Sequence, residues 1–149
     1  MRAVLLACAL VAMAGCSAEE AEPPAAIWPA DFESAWPEVR DCRLSPAEHD
    51  GFYIRVFANP DATQAYEDGV YPFAEGTLLV KGEYDDAECK TLVRVSAMQK
   101  LGPGAASELA DWEWQRTDAA GNVTTQMPAK SCAGCHAACK ARDYACTDK

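Results

Sequence analysis

The sequence predicts an α+β domain: mainly an antiparallel β-sheet, with short flanking helices and a helix near the C-terminal end. Three observations carry this. Gly51–Ala58 (GFYIRVFA), Thr77–Tyr84 (TLLVKGEY) and Thr91–Gln99 (TLVRVSAMQ) are rich in aromatic and β-branched residues. Such side chains fit a pleated, half-buried surface. Asp111–Thr117 (DWEWQRT) and Asn122–Met127 (NVTTQM) flank the turn DAAG, which predicts a hairpin. The helical signals are short and lie between or outside these runs.

In chain order, Trp28–Val39 (WPADFESAWPEV) predicts a short helix, with Asp31 as cap and Phe32, Ala35 and Trp36 on one face. The strand Gly51–Ala58 follows. Asn59-Pro60 then opens a second helix, with Asn as cap and Pro in the first position, and Gly69 closes it. Two strands come next, then the loop Leu101–Ala110 (LGPGAASELA), then the hairpin. Trp112 and Trp114 lie two apart, so they share a side of their strand and predict core packing.

The chain starts MRAVLLACALVAMAGC. Arg2 precedes an apolar run, Ala3–Ala14, which is shorter than the roughly 20 residues a spanning helix needs. This is the pattern of an export signal. Met13-Ala14-Gly15-Cys16 resembles a bacterial lipobox, with cleavage before Cys16 and acylation of that cysteine; ordinary cleavage after Ala12-Met13-Ala14 is the alternative. Ser17 rather than Asp follows, which points to the outer membrane. The stretch SAEEAEPPAA is small, acidic and proline-bearing, and cannot build a core. The expected organisation is a signal peptide over residues 1–15, an acidic tether over 16–27 and one folded domain over 28–149.

Loss of the signal removes Arg2, so a net charge of −10 becomes −11. Such an acidic protein argues against nucleic acid and against docking on anionic lipid. Membrane attachment is expected only through the lipid anchor, on the periplasmic side of the envelope. An electrostatic partner should be basic.

Cysteine usage is the next constraint. Of eight cysteines, Cys8 leaves with the signal and Cys16 is assigned to the anchor. Cys42, Cys89, Cys132, Cys135, Cys139 and Cys146 remain, and outside the cytoplasm they could form three disulfides. However, Cys132-Ala133-Gly134-Cys135-His136 matches C-x-x-C-H, the attachment signature of covalent haem. Two thiols must reach two vinyl groups on one porphyrin edge, and the next residue must present an imidazole to the iron. One helical turn does all three, with Ser131 as its cap and small residues at 133 and 134. Zinc would want a second Cys/His pair at ligand spacing, and His49 alone is a poor candidate.

The C-terminal helix of the predicted fold is therefore a haem-binding helix carrying one covalent haem c per chain. The iron ligand is His136 and the anchors are Cys132 and Cys135. A sheet-rich body separates this chain from the all-helical small c-type cytochromes.

Cys42, Cys89, Cys139 and Cys146 are then disulfide candidates, with three possible connectivities. On one unbroken helix Cys139 and Cys146 would stand about 10 Å apart, beyond the roughly 7 Å a disulfide tolerates. Either the helix ends between them or each pairs with a body cysteine. The second option is preferred, since it would staple the haem-bearing tail to the core.

Several pieces in order resemble the cytochrome P-460 family, whose relatives include the β-sheet cytochromes c′. They are RVFANPDA (Arg55–Ala62), YPFAEGTLLVKGE (Tyr71–Glu83), DWEW (Asp111–Trp114) with DAAGNV after it, and the C-terminal CAGCH. The resemblance covers about Phe32 to Tyr144. It implies a five-coordinate c-type haem on an antiparallel β fold, usually in a homodimer. It also implies a lysine bonded to the porphyrin ring and oxidation of hydroxylamine with the help of a distal carboxylate. The aligned lysine is Lys81; the family more often reads V-K-E, and here Gly82 stands between Lys81 and Glu83. The nearest carboxylate is Glu108.

Two classes of function follow. One is a haem enzyme oxidising hydroxylamine and passing electrons to a periplasmic redox partner, with Lys81 and Glu108 as catalytic residues. The other is a non-catalytic haem protein that binds nitric oxide or carries electrons. A carrier prefers a second strong axial ligand. The candidates, His49, Met98 and Met127, do not stand out, which favours an open position for a small nitrogen-oxide ligand.

Overall fold

The computed structural model describes residues 24–45, 51–125 and 130–147. Its centre is a six-stranded antiparallel meander in which each strand pairs with the next in sequence. The strands are β1 (Glu38–Leu44), β2 (Tyr53–Ala58), β3 (Leu78–Tyr84), β4 (Leu92–Lys100), β5 (Trp112–Asp118) and β6 (Val123–Thr125). The helices are α1 (Phe32–Ala35), α2 (Pro60–Asp68) and α3 (Lys130–His136), and a 3-10 segment, Ala137–Arg142, continues α3. The predicted α+β architecture is therefore the observed one. Among the described residues no helix is long and apolar enough to cross a membrane.

The first helix is shorter than expected. Trp36 is already extended, at φ −111° and ψ 149°. Pro37 disfavours helical geometry in the residue before it, and the chain turns straight into β1. That strand is mostly polar (EVRDCRL) with Val39 its one buried residue, so it lacks an apolar alternation to announce it. It is an edge strand paired only to β2.

Helix α2 has the expected ends. Asn59 is the N-cap residue, Pro60 takes the first position and Gly69 closes the helix in the left-handed region at φ 65°. The Asn59 side chain does not cap the helix but reaches β3: its Oδ1 accepts from the Leu78 amide at 2.9 Å and its Nδ2 donates to Gly76 O at 3.2 Å. Sequence distinguishes a cap residue from a strand clamp poorly, because a short side chain with an acceptor oxygen serves either.

The sheet buries both faces. On one, Trp28, Phe32, Phe57, Leu78, Val80, Val95 and Ala97 form a core under the N-terminal segment. That segment is stitched down by Gln115, which accepts from the Ile27 amide and donates to Ala25 O. Packed chain thus begins slightly before Trp28. On the other face Val56, Leu79, Met98, Trp112 and Trp114 meet α2, Phe73, Ala133 and Ala145. The two tryptophans are core residues, 0% and 4% exposed, as their spacing predicts.

The disulfides differ from the preferred pairing. Cys42 bonds Cys89, tying β1 to the β3–β4 connection, and Cys139 bonds Cys146. The helix does end between the latter two. Cys139 leaves helical geometry at φ −104° and ψ 20°, and Asp143 and Tyr144 are both left-handed, at φ 51° and 68°. These kinks fold the chain back and bring the two Cα atoms to 5.2 Å. The estimate of about 10 Å holds only for a continuous helix.

Candidate haem site

Helix α3 packs on the sheet through Ala133, which is buried in the core, and through Cys132 beside it. Gly134 is exposed, with open space where a Cβ would stand. The helix starts at Lys130, so Ser131 lies inside its first turn rather than capping it. Cys132 and Cys135 are free thiols, one partly buried and one exposed.

His136 ends the helix. Its ring meets Trp114 edge-on, centroids 6.0 Å apart. Its Nδ1 donates to the Tyr144 carbonyl at 2.7 Å. A carbonyl only accepts, so the proton sits on Nδ1 and the lone pair on Nε2, the form that ligates iron. Burial holds the imidazole below its ordinary range; the Tyr144 carbonyl opposes this, and the charge of Lys81 adds to it. The ring is neutral at pH 7.

Lys81 lies on the same face of β3 as Leu79, between Val56 of β2 and Ser96 of β4. Burial pushes its ammonium down to about 8, against the opposing pull of Glu83, whose Oε1 is 3.4 Å away. Glu83 is fully buried and accepts from Arg94 Nε at 2.6 Å and from Ser96 Oγ at 2.8 Å. Arg116 Nε in turn donates to Ser96 Oγ at 3.2 Å. Sequence reasoning missed this polar strip. Its signal is alternation: residues 81 and 83 share a face, and their cross-strand partners on β4 are Ser96 and Arg94.

Gly82 has a local reason. It points to the opposite face, where the Tyr84 ring lies over it and hydrogen-bonds Glu33. The glycine therefore makes room for Tyr84 and leaves the side-chain direction of Lys81 unchanged.

The structure brings Lys81 into the electrostatic environment of His136. Glu108 is exposed on a 3-10 turn (Ser107–Leu109) and lines a hollow of about 250 Å³ with Leu101, Trp112 and Glu113. No residue of the C-x-x-C-H helix lines that hollow. Met98 is core, 6% exposed and paired across strands with Leu79 and Trp114. His49, Met127 and Cys16 lie outside the described residues.

The donor set fits haem. Two thiols free of disulfides stand three residues apart on one helix, and the adjacent imidazole is neutral with its iron-binding tautomer fixed. Donors of this kind on the apolar face of a sheet mark a haem protein. The model of the family Cytochrome P460 matches residues 29–147, and the chain belongs to that family. No curated protein matches the chain.

Proposed function

We propose that the chain is an exported haem c protein that oxidises hydroxylamine. Cys132 and Cys135 would hold the haem as two thioethers, each thiol adding across a vinyl group with no change in redox state. His136 Nε2 would hold the iron, and Tyr144 holds the ring through Nδ1. Haem, when bound, supplies an iron that takes a small nitrogen ligand and passes electrons on.

The observation that carries the enzymatic reading is Lys81. A buried lysine lowered to about 8, its charge felt at His136, is about one-tenth neutral at pH 7, far more than an ordinary lysine. A neutral amine is the form from which a bond to the porphyrin ring would be made; replacing a ring hydrogen by nitrogen is a two-electron oxidation, so a peroxide-class oxidant would take the two electrons and leave as water with the displaced hydrogens. Glu83 orients it. Glu108, exposed on the 3-10 turn before β5, is the proposed proton acceptor. Cys16 anchors the protein to the periplasmic face of the outer membrane, and residues 16–27 are its tether, whose last residues, from Ala25, are bonded to the sheet. Electrons leave to a basic periplasmic partner, and the protein works as a homodimer.

The test uses holoprotein from the full chain. After proteolysis, the Lys81 peptide should remain joined to the Cys132–Cys135 peptide through haem, and hydroxylamine should be consumed with reduction of an added acceptor. An unlinked Lys81 with no turnover overturns the enzyme and leaves a gas-binding haem protein. Haem that dissociates from the wild-type chain on denaturation overturns covalent attachment. Loss of membrane retention on Cys16→Ala tests the anchor.

A further inference from the structure

The corner of the tail at Asp143 is held by a buried ion pair to Lys100, 43 residues earlier. Lys100, the last residue of β4, places Nζ 2.8 Å from both carboxylate oxygens of Asp143. Both residues are buried, at 9% and 8% exposure. Asp143 Oδ2 also accepts from the Phe73 amide at 2.9 Å, and Lys100 Nζ donates to Ala110 O at 2.7 Å.

Asp143 is the residue before Tyr144, and both are left-handed without being glycine. Such backbone persists only when its surroundings over-determine it. Here the ion pair and the Phe73 amide fix the first of the two residues. The second then aims its carbonyl at His136 Nδ1. The Cys139–Cys146 bridge closes the same loop from the other side.

We propose that Lys100 and Asp143 are positioning residues for the axial histidine. Through the Tyr144 carbonyl they set the strength of the Nδ1 hydrogen bond, and so the electron donation from His136 to iron. This rests on His136 being the iron ligand. A strong bond to Nδ1–H gives the imidazole more anionic character and favours ferric iron. Loss of the ion pair lets the corner relax and weakens that bond.

The experiment uses Asp143→Ala and Asp143→Asn holoproteins beside wild type. The readouts are the iron–histidine stretching band of the ferrous form and the reduction potential. Asp143→Ala should lower the band frequency and raise the potential. Asp143→Asn keeps an acceptor for the Phe73 amide but loses the charge, and should give a smaller shift in the same directions. Phe32→Leu, a core substitution on the opposite face, should lower the melting temperature without moving either readout. Haem-free chains labelled with ¹⁵N-histidine give a parallel reading, since His136 and His49 are the only histidines. In them the Nδ1–H signal of His136 should lose its hydrogen-bonded shift in Asp143→Ala.

A folded Asp143→Asn protein with an unmoved band and potential overturns the proposal, whatever its melting temperature. If Asp143→Ala does not take up haem, the Asn variant and the labelled chain decide the matter alone. A wild-type holoprotein with no iron–histidine band would instead overturn His136 as ligand, which is a separate failure.

Discussion

Lys81 and Glu83 stand side by side on one face of β3, ammonium to carboxylate at 3.4 Å, with Glu83 fully buried. Arg94 and Ser96 complete the carboxylate's shell from the neighbouring strand. A buried carboxylate with three partners is a fixed charge, and its job is to hold the lysine and the arginine in place.

Glu83→Gln should therefore do two things. Removing one member of a buried, hydrogen-bonded charge cluster typically costs about 3–5 kcal/mol, read as a lowered urea midpoint. It should also lower the Lys81 pKa further, because Glu83 opposes the effect of burial. The pH profile of Lys81 acetylation in the haem-free chain, followed by mass spectrometry, reads the second effect. An unshifted profile would mean that Glu83 does not govern the lysine.

Stability of the haem-free chain should vary with pH in a defined way. Between about 8 and 10.5 the folded Lys81 has lost its proton while the unfolded chain keeps it. The unfolded state then binds more protons, so stability rises with pH. Tyr66 and Tyr84 work the other way above their ordinary value of 10.0, since burial raises both in the fold. On the acid side the Glu83 carboxyl is lowered, because Lys81, Ser96 and Arg94 together outweigh burial. Its contribution is present above the ordinary carboxylate range and lost as pH falls through the folded value. Urea midpoints across the range check this, and Lys81→Met should abolish the alkaline rise.

The two disulfides should differ in worth. The Cys42–Cys89 bridge spans a sequence separation of 47 and the Cys139–Cys146 bridge one of 7. On the loop-entropy argument their removal costs about 4 and about 2 kcal/mol respectively. Paired Cys→Ala variants and denaturant titration measure both. Equal losses would mean that native-state contacts, not loop closure, dominate.

Gly82→Ala should be destabilising although it adds only a methyl group. An added Cβ would lie 2.5 Å from the Tyr84 hydroxyl. The ring must move off the strand and lose its bond to Glu33. Overpacking of this kind costs about 1–3 kcal/mol, read by urea titration. Gly82→Ala with Tyr84→Phe should recover little, because the ring itself still lies within about 3 Å of the new methyl.

The sequence by itself determined the β2, β3, β4 and β5–β6 pattern, the α2 boundaries and the C-x-x-C-H helix. Each of these is a local matter. Side-chain shape, the positions of Pro60 and Gly69, and thiol spacing along one turn act over a few residues. Lys81 was singled out differently, through an ordered set of short pieces that resemble a family to which the chain belongs.

Only the tertiary structure decided the rest. Strand β1 forms because β2 offers it an edge and Cys89, at a sequence separation of 47, bonds its Cys42. The C-terminal cysteines pair with each other because two left-handed residues reverse the chain, and Asp143 finds Lys100 across 43 residues to hold that reversal. Glu83 becomes the partner of Lys81 only once the strands fix which side chains share a face with Arg94 and Ser96. A polar residue on a strand has many possible partners in sequence; burial leaves it few, and the cost of an unpaired buried charge selects among them.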